Sequence, residues 1–299
     1  MSSLEKVLYF QAGIGVLPNM FLLLFYTFMI LGHRHKLMDL ISCQLTLVHI
    51  MMFLTGGNIC IADIFESLNT KNDIKCKATF YTNRVMRGQS ICITCILSVF
   101  QAITISPSTS LLAKFKQKLK KYVIRALFYM WFFNLSVSSN MIFYVGGFTN
   151  TSETQQMKVT KYCSLFPMNY IVRGLIILLS TSRDMFLVAV MLTTSAYMVN
   201  ILQRHQRKYK YLHSVSHLIA SPEKKATQII LLLVVFFVVM YWVDFIISLT
   251  SLLLWIYTPV ILTAQKFVIY AYPTITPLVQ IIFDKRIINV LKILQSKCH

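Results

Sequence analysis

Apolar residues along this chain fall in long unbroken blocks, not in the narrow stripes of a helix half-exposed to water or the alternation of a half-buried strand. Blocks of spanning length, about 20 residues each, lie at 9–31, 40–62, 78–105, 122–146, 170–202, 226–254 and 266–283. The pattern predicts an all-α membrane protein: a seven-transmembrane helix bundle forming a single domain over 1–299. Met1 to Leu8 is short and carries Glu5 and Lys6, so the first block reads as a spanning helix and not as a cleavable leader. After the last block, 284–299 is expected to be a cytoplasmic tail. Its Ile287, Ile288, Leu291 and Leu294 recur at helical spacing, which predicts a short amphipathic helix on the inner leaflet.

The polar segments between blocks orient the bundle. Of the 29 Lys and Arg residues, 18 fall on the side reached after the first, third, fifth and seventh blocks. The other side holds 7, from Lys6 to Lys266, and Arg84, Arg87, Arg173 and Arg183 lie within or at the ends of blocks. The richer side is expected to be cytoplasmic, which places the amino terminus outside in a multi-pass plasma-membrane protein. Two features agree. Asn150-Thr151-Ser152 is a glycosylation acceptor on an outer loop, whereas Asn134-Leu135-Ser136 falls inside the fourth block. Cys76 and Cys163 both lie on outer segments, where the compartment permits a disulfide. A bond there would tie the third span to the second outer loop, the alternative being two free thiols.

Composition narrows the function classes. The chain is 56% hydrophobic and 13% charged, against about 25% charged in a soluble domain. Its net charge of +19 sits in short loops facing anionic lipid, and no soluble basic domain exists to hold nucleic acid. Cys92 and Cys95 form a CxxC inside an apolar helix without a second pair, so no metal or other cofactor is expected. HExxH, GxSxG and paired aspartates placed for acid–base work are all absent, which argues against an enzyme. No internal repeat is visible, which disfavours a transporter of duplicated halves.

Charge inside an apolar helix is costly and tends to mark function. Arg84 and Arg87, three apart on one face of the third span, lie about 12 and 17 Å along the helix from Cys76. Arg183 and Asp184 fall near the middle of the fifth span, and Asp244 follows Tyr241 and Trp242 in the sixth. Two readings stand. In one, Arg84, Arg87, Asp184, Tyr241 and Asp244 line an outward pocket and select a ligand. In the other, the charges pair with one another and hold the bundle together. Gly56-Gly57 and Gly88 are expected to allow close helix approach, and Pro273 and Pro277 to loosen the seventh span.

Several stretches carry a family resemblance: DLISCQLTLVHIMMFLTGG (39–57), CKATFYTNRVMRGQSICITCILSVFQAITISP (76–107), SLLAKFKQK (110–118), LSTSRDMFLVAVM (179–191), RHQRKYKYLHS (204–214), SPEKKATQIILLLVVFFVVMYWVDFIIS (221–248) and AYPTITPLV (271–279). Spread in order over most of the chain, they resemble the type 1 vomeronasal receptors, G-protein-coupled receptors of chemosensory neurons. The resemblance implies an outer pocket for pheromone-like small molecules, coupling to an inhibitory-class heterotrimeric G protein, a Cys76–Cys163 bridge and an outer glycan. Topology then offers Lys114, Lys116 and Lys118, Arg204 and Arg207, and the amphipathic tail as coupling surfaces. The Asp-Arg-Tyr and Asn-Pro-x-x-Tyr signatures of most rhodopsin-like receptors are missing, as they are in this family. Gln89 and Leu111 are local departures. A bitter-taste-like receptor is the alternative within the class, disfavoured by RVMRGQSICITC and SPEKKATQ. A small transporter or channel is the alternative outside it. A conduction path needs polar groups along its depth, and SICITCILSVF and ATQIILLLVVFF are largely apolar.

Overall fold

The computed structural model describes residues 3–32, 37–56, 72–107, 118–147, 157–158, 163–166, 169–212, 231–232, 234–247 and 259–297. Almost all of these are helical. The helices are α1 (Ser3–Leu31), α2 (Leu37–Gly56), α3 (Asn72–Ile105), α4 (Leu119–Ser138), α5 (Met141–Tyr144), α6 (Tyr170–Leu212), α7 (Val234–Ile247), α8 (Pro259–Phe283) and α9 (Lys285–Lys297). Lys6–Leu31, Leu37–Gly56, Asp73–Ile105 and Gly174–Arg204 are each long and apolar enough to cross a membrane. The 20 residues of α4 and 25 of α8 also reach spanning length.

Two expectations from hydropathy shift. The fourth block, read as helix over 122–146, breaks after Ser138 and resumes only as the single turn α5. Ser136 and Ser139 hydroxyls donate to the Phe132 and Ser136 carbonyls, competing for the last turn, and Gly146-Gly147 favours extension over helix. The chain therefore continues as strand β1 (Val145–Gly147), which pairs antiparallel with β3 (Cys163–Leu165), Gly147 opposite Cys163. Strand β2 (Met157–Lys158) takes the other edge of β3. The second block, read as 40–62, is helical from Leu37 through Gly56, and 57–62 lie outside the described residues.

Cys76, in the first turns of α3, is joined to Cys163 on β3 with Cα atoms 5.7 Å apart, within the usual spacing of a bridge. The small sheet is thus fastened over one end of the bundle.

Helix α3 is the axis of the core. Its Ile93, Ile96 and Leu97 pack with Ile41, Val48 and Phe53 of α2 and Leu127 of α4. Its Ile91, Cys92 and Cys95 pack against Leu187 and Met191 of α6 and Phe237 of α7. Cys92 and Cys95 are thus small packing side chains. Outward faces of α1, α4 and α6 carry Phe10, Leu24, Phe28, Phe132, Leu178 and Phe186, all exposed. Those surfaces suit hydrocarbon, not water.

Proline leaves orphan carbonyls in α8, and α1 answers one of them. Pro277 has no N–H for the carbonyl of Pro273, four residues earlier. Asn19 of α1, fully buried, donates from Nδ2 to that carbonyl at 3.0 Å and to Gly15 O at 2.7 Å. The α1–α8 contact is set by this repair.

Candidate functional site

One buried carboxylate gathers three helices. Arg87 of α3 donates to Asp244 of α7, and Gln265 of α8 donates from Nε2 to the other carboxylate oxygen at 3.1 Å. The Asp244 side chain is 5% exposed and that of Arg87 35%. The arginine is the more exposed partner. Beside the pair lies a cleft with about 40 Å³ of free volume. Arg87, Asp244 and Tyr241 line it, with Phe237, Tyr272 and Met52 among its other walls. A space of that size holds a few waters, so a larger ligand seats there only as the α7 and α8 side chains move apart.

The other predicted charges stand beside the cleft and are not among its lining residues. Arg84 donates from Nη2 to Ser180 of α6 at 3.3 Å. Asp184 accepts from its neighbour Arg183 at 2.7 Å. Arg183 also donates to Asn134 Oδ1 at 2.7 Å, and Asn134 Nδ2 donates to Gln89 Oε1 at 2.9 Å. A polar chain thus runs from α6 through α4 to α3. Gly88 makes room for it, because a Cβ there would collide with the Asn134 amide. Gly56 is similarly open to Tyr270, whose hydroxyl receives Asn83 Nδ2 at 3.2 Å.

His49 and Ser90 share a hydrogen bond of 3.3 Å, and Thr94 and Tyr272 one of 3.2 Å. Phe237 meets the Tyr272 ring edge-on at 4.5 Å.

At the end opposite the disulfide the pattern changes. Arg286, in the first turn of α9, reaches Asp39 at the start of α2 through two nitrogens, at 2.8 and 3.1 Å. It also bonds Asp284, at 3.1 Å from Nη2 and 3.3 Å from Nε. Burial opposes its charge, but the hydrogen bonds to Asp39 and Asp284 outweigh that and hold the guanidinium above its ordinary value. Ile287, fully buried, packs beside it against Leu22, Phe25 and Tyr26 of α1. Nearby, Ser106 and Tyr197 join the end of α3 to α6 at 2.9 Å.

Sequence reasoning missed Asn134, Gln265 and the Asp39–Arg286 pair. An amide flanked by apolar residues inside the fourth block is a usable signal for the first. Asp39 sits just before a block and Arg286 just after one, so both read as ordinary boundary charges. Among the coupling candidates, Lys118 and Arg204 are exposed and Arg207 lies on α6. Lys114, Lys116 and Asn150 lie outside the described residues.

An almost wholly helical chain with several spanning-length apolar helices, buried interhelical ion pairs and a disulfide-fastened end is a multi-pass membrane protein with the build of a receptor. Residues 2–293 match the Vomeronasal organ pheromone receptor family. The chain is similar to vomeronasal type-1 receptor 100 of Rattus norvegicus, 39% identical over 97% of this chain and 89% of that protein. Against vomeronasal type-1 receptor 51 of Mus musculus it is 36% identical over 97% and 91%. The chain belongs to this family of G-protein-coupled chemosensory receptors. It is a receptor and not an enzyme.

Proposed function

We propose that this chain detects a pheromone-like small molecule in the cleft beside Arg87 and Asp244 and signals to an inhibitory-class heterotrimeric G protein. The chain crosses the plasma membrane seven times, with its amino terminus and the Asn150 glycan outside. The disulfide end then faces the environment, and the cleft opens towards it. The observation that carries the reading is the convergence of α3, α7 and α8 on Asp244, with aromatic walls beside the ion pair. Ligand that inserts there trades contacts with the pair and separates α7 from α3, which shifts the population towards an arrangement whose opposite end fits the G protein. Arg84, Asp184 and Tyr241 flank the entry. Arg84, whose hydrogen bond goes to a neutral hydroxyl, suits an anionic or carbonyl-bearing ligand. Lys114, Lys116, Lys118, Arg204 and Arg207 meet the G protein or the anionic lipid around it.

The test is nucleotide exchange on a panel of Gα proteins in cells displaying the chain, challenged with fractionated secretions and volatile or steroid-like compounds. A fraction that drives exchange on inhibitory-class Gα, and loses potency with Arg84→Gln at matched surface display, supports the reading. Activation of other Gα classes alone would overturn the coupling, and unchanged potency in the variant would remove Arg84 from the site.

A further inference from the structure

The tail helix is not merely laid against the bundle. Arg286 is held between two carboxylates from different elements, Asp39 of α2 and Asp284 of the α8–α9 junction. Asp39 is 1% exposed, whereas the Arg286 and Asp284 side chains are 36% and 22% exposed. The two partners of Arg286 are therefore unequal. Asp284 moves with α9: its carboxylate accepts the Arg286 backbone N–H at 2.9 Å, forming the helix's first turn. Asp39 belongs to a helix packed in the core. If α9 swings away from α2, Arg286 keeps Asp284 and stays paired, so one arginine serves both a closed and an open position.

The same α8 that ends at this junction carries Val268, Ile269, Tyr272 and Pro273 in the wall of the cleft. Pro273 and Pro277 lie between the two, and the intervening helix, from Pro273 to Arg286, is about 20 Å long. Proline removes two ladder hydrogen bonds there, and Asn19 of α1 satisfies one of the freed carbonyls, so this is the segment of α8 where a bend would fall. One element thus lines the cleft at one end, carries two prolines in the middle and ends beside a cation bonded to two carboxylates. Coupling two sites requires a shared element with two discrete arrangements, and this one joins both sites.

We propose that Arg286 and Asp39 form a latch that pins the tail helix to α2 in the resting receptor, and that opening of this latch, through bending of α8 at Pro273–Pro277, promotes G-protein activation. This rests on the receptor reading above. The structural half is read without any G protein, by hydrogen exchange of α9 amides in receptor reconstituted in lipid nanodiscs. Arg286→Gln and Asp39→Asn should each speed exchange across residues 285–297 by about tenfold, while Lys77→Ala leaves it unchanged. The functional half is ligand-independent nucleotide exchange on the Gα panel at matched surface display. Both variants should raise it several-fold, and Asp39→Asn/Arg286→Gln together should raise it no further, because one contact is lost in all three. The double variant, which buries no unpaired charge, keeps the test open if a single variant fails to reach the surface. Unchanged α9 exchange overturns the latch. Faster α9 exchange with wild-type levels of signalling, in a receptor that does activate a G protein, reduces the contact to a strut and overturns its gating role. No exchange on any Gα from any variant, with α9 opened, counts against the coupling reading while the structural latch stands.

Discussion

The two ends of the bundle solve the problem of buried charge in opposite ways. At the disulfide end, Arg84, Arg87 and Arg183 face Asp184 and Asp244, so among the described residues cations outnumber carboxylates. At the far end Arg286 bridges two carboxylates, Asp39 and Asp284. A surplus cation beside an aromatic-walled cleft is suited to receive something from outside. A second carboxylate on one arginine is suited to let that arginine leave the first without losing every partner.

Breaking the frame of the disulfide end has the largest expected effect. Cys76→Ala or Cys163→Ala should cost about 2–5 kcal/mol, the usual loss for a native bridge, read as a fall in apparent Tm of purified receptor and in surface display. No comparable loss would mean the sheet is held by its own ladder. Next, Arg87→Ala strands Asp244 in a 5%-exposed position. Removing one partner of a fully buried pair costs about 3–5 kcal/mol. Discounted for the partial exposure of Arg87, the expected loss is about 2–3 kcal/mol. Asp244→Asn should cost less, about 1 kcal/mol, since its amide keeps a bond to Arg87. Equal losses from the two would contradict the asymmetry of exposure.

Gly88→Ala forces the Asn134 amide aside and should cost about 1–2 kcal/mol as overpacking. It should also weaken the Arg183–Asn134–Gln89 chain, measurable as non-additivity with Asn134→Ala. Additive losses would separate Gly88 from that chain. Smallest of all, Lys77→Ala removes a surface i,i+4 pair with Asp73 at 2.8 Å and should move stability by less than about 0.5 kcal/mol. That makes it the control for every variant above.

Helical blocks were legible because the chain's solvent selects for them: lipid demands about 20 apolar residues wherever the chain crosses, and nothing in that demand depends on distant partners. The ends were less so. Ser136, Ser139 and Gly146-Gly147 ended the fourth helix early through local competition for carbonyls, a signal that hydropathy ignores. The charged residues of the site were legible as anomalies, since Arg87 and Asp244 stand out in apolar surroundings. Their pairing was not, because it joins positions 157 residues apart through packing. Gln265 was hidden for another reason. It sits beside Lys266 at the edge of a block, where polar residues are ordinary, and only the fold brings its amide to Asp244. Arg286 reads as one of many tail cations until α9 is folded back on α2.

The central claim is that the Arg87–Asp244 cleft is where ligand acts. The most direct measurement is a concentration–response curve for an activating fraction on cells displaying wild type, Arg87→Gln, Asp244→Asn or Lys77→Ala at matched surface levels. The account predicts that potency falls at least tenfold in the first two and stays unchanged in the third. Wild-type potency in both cleft variants would contradict it.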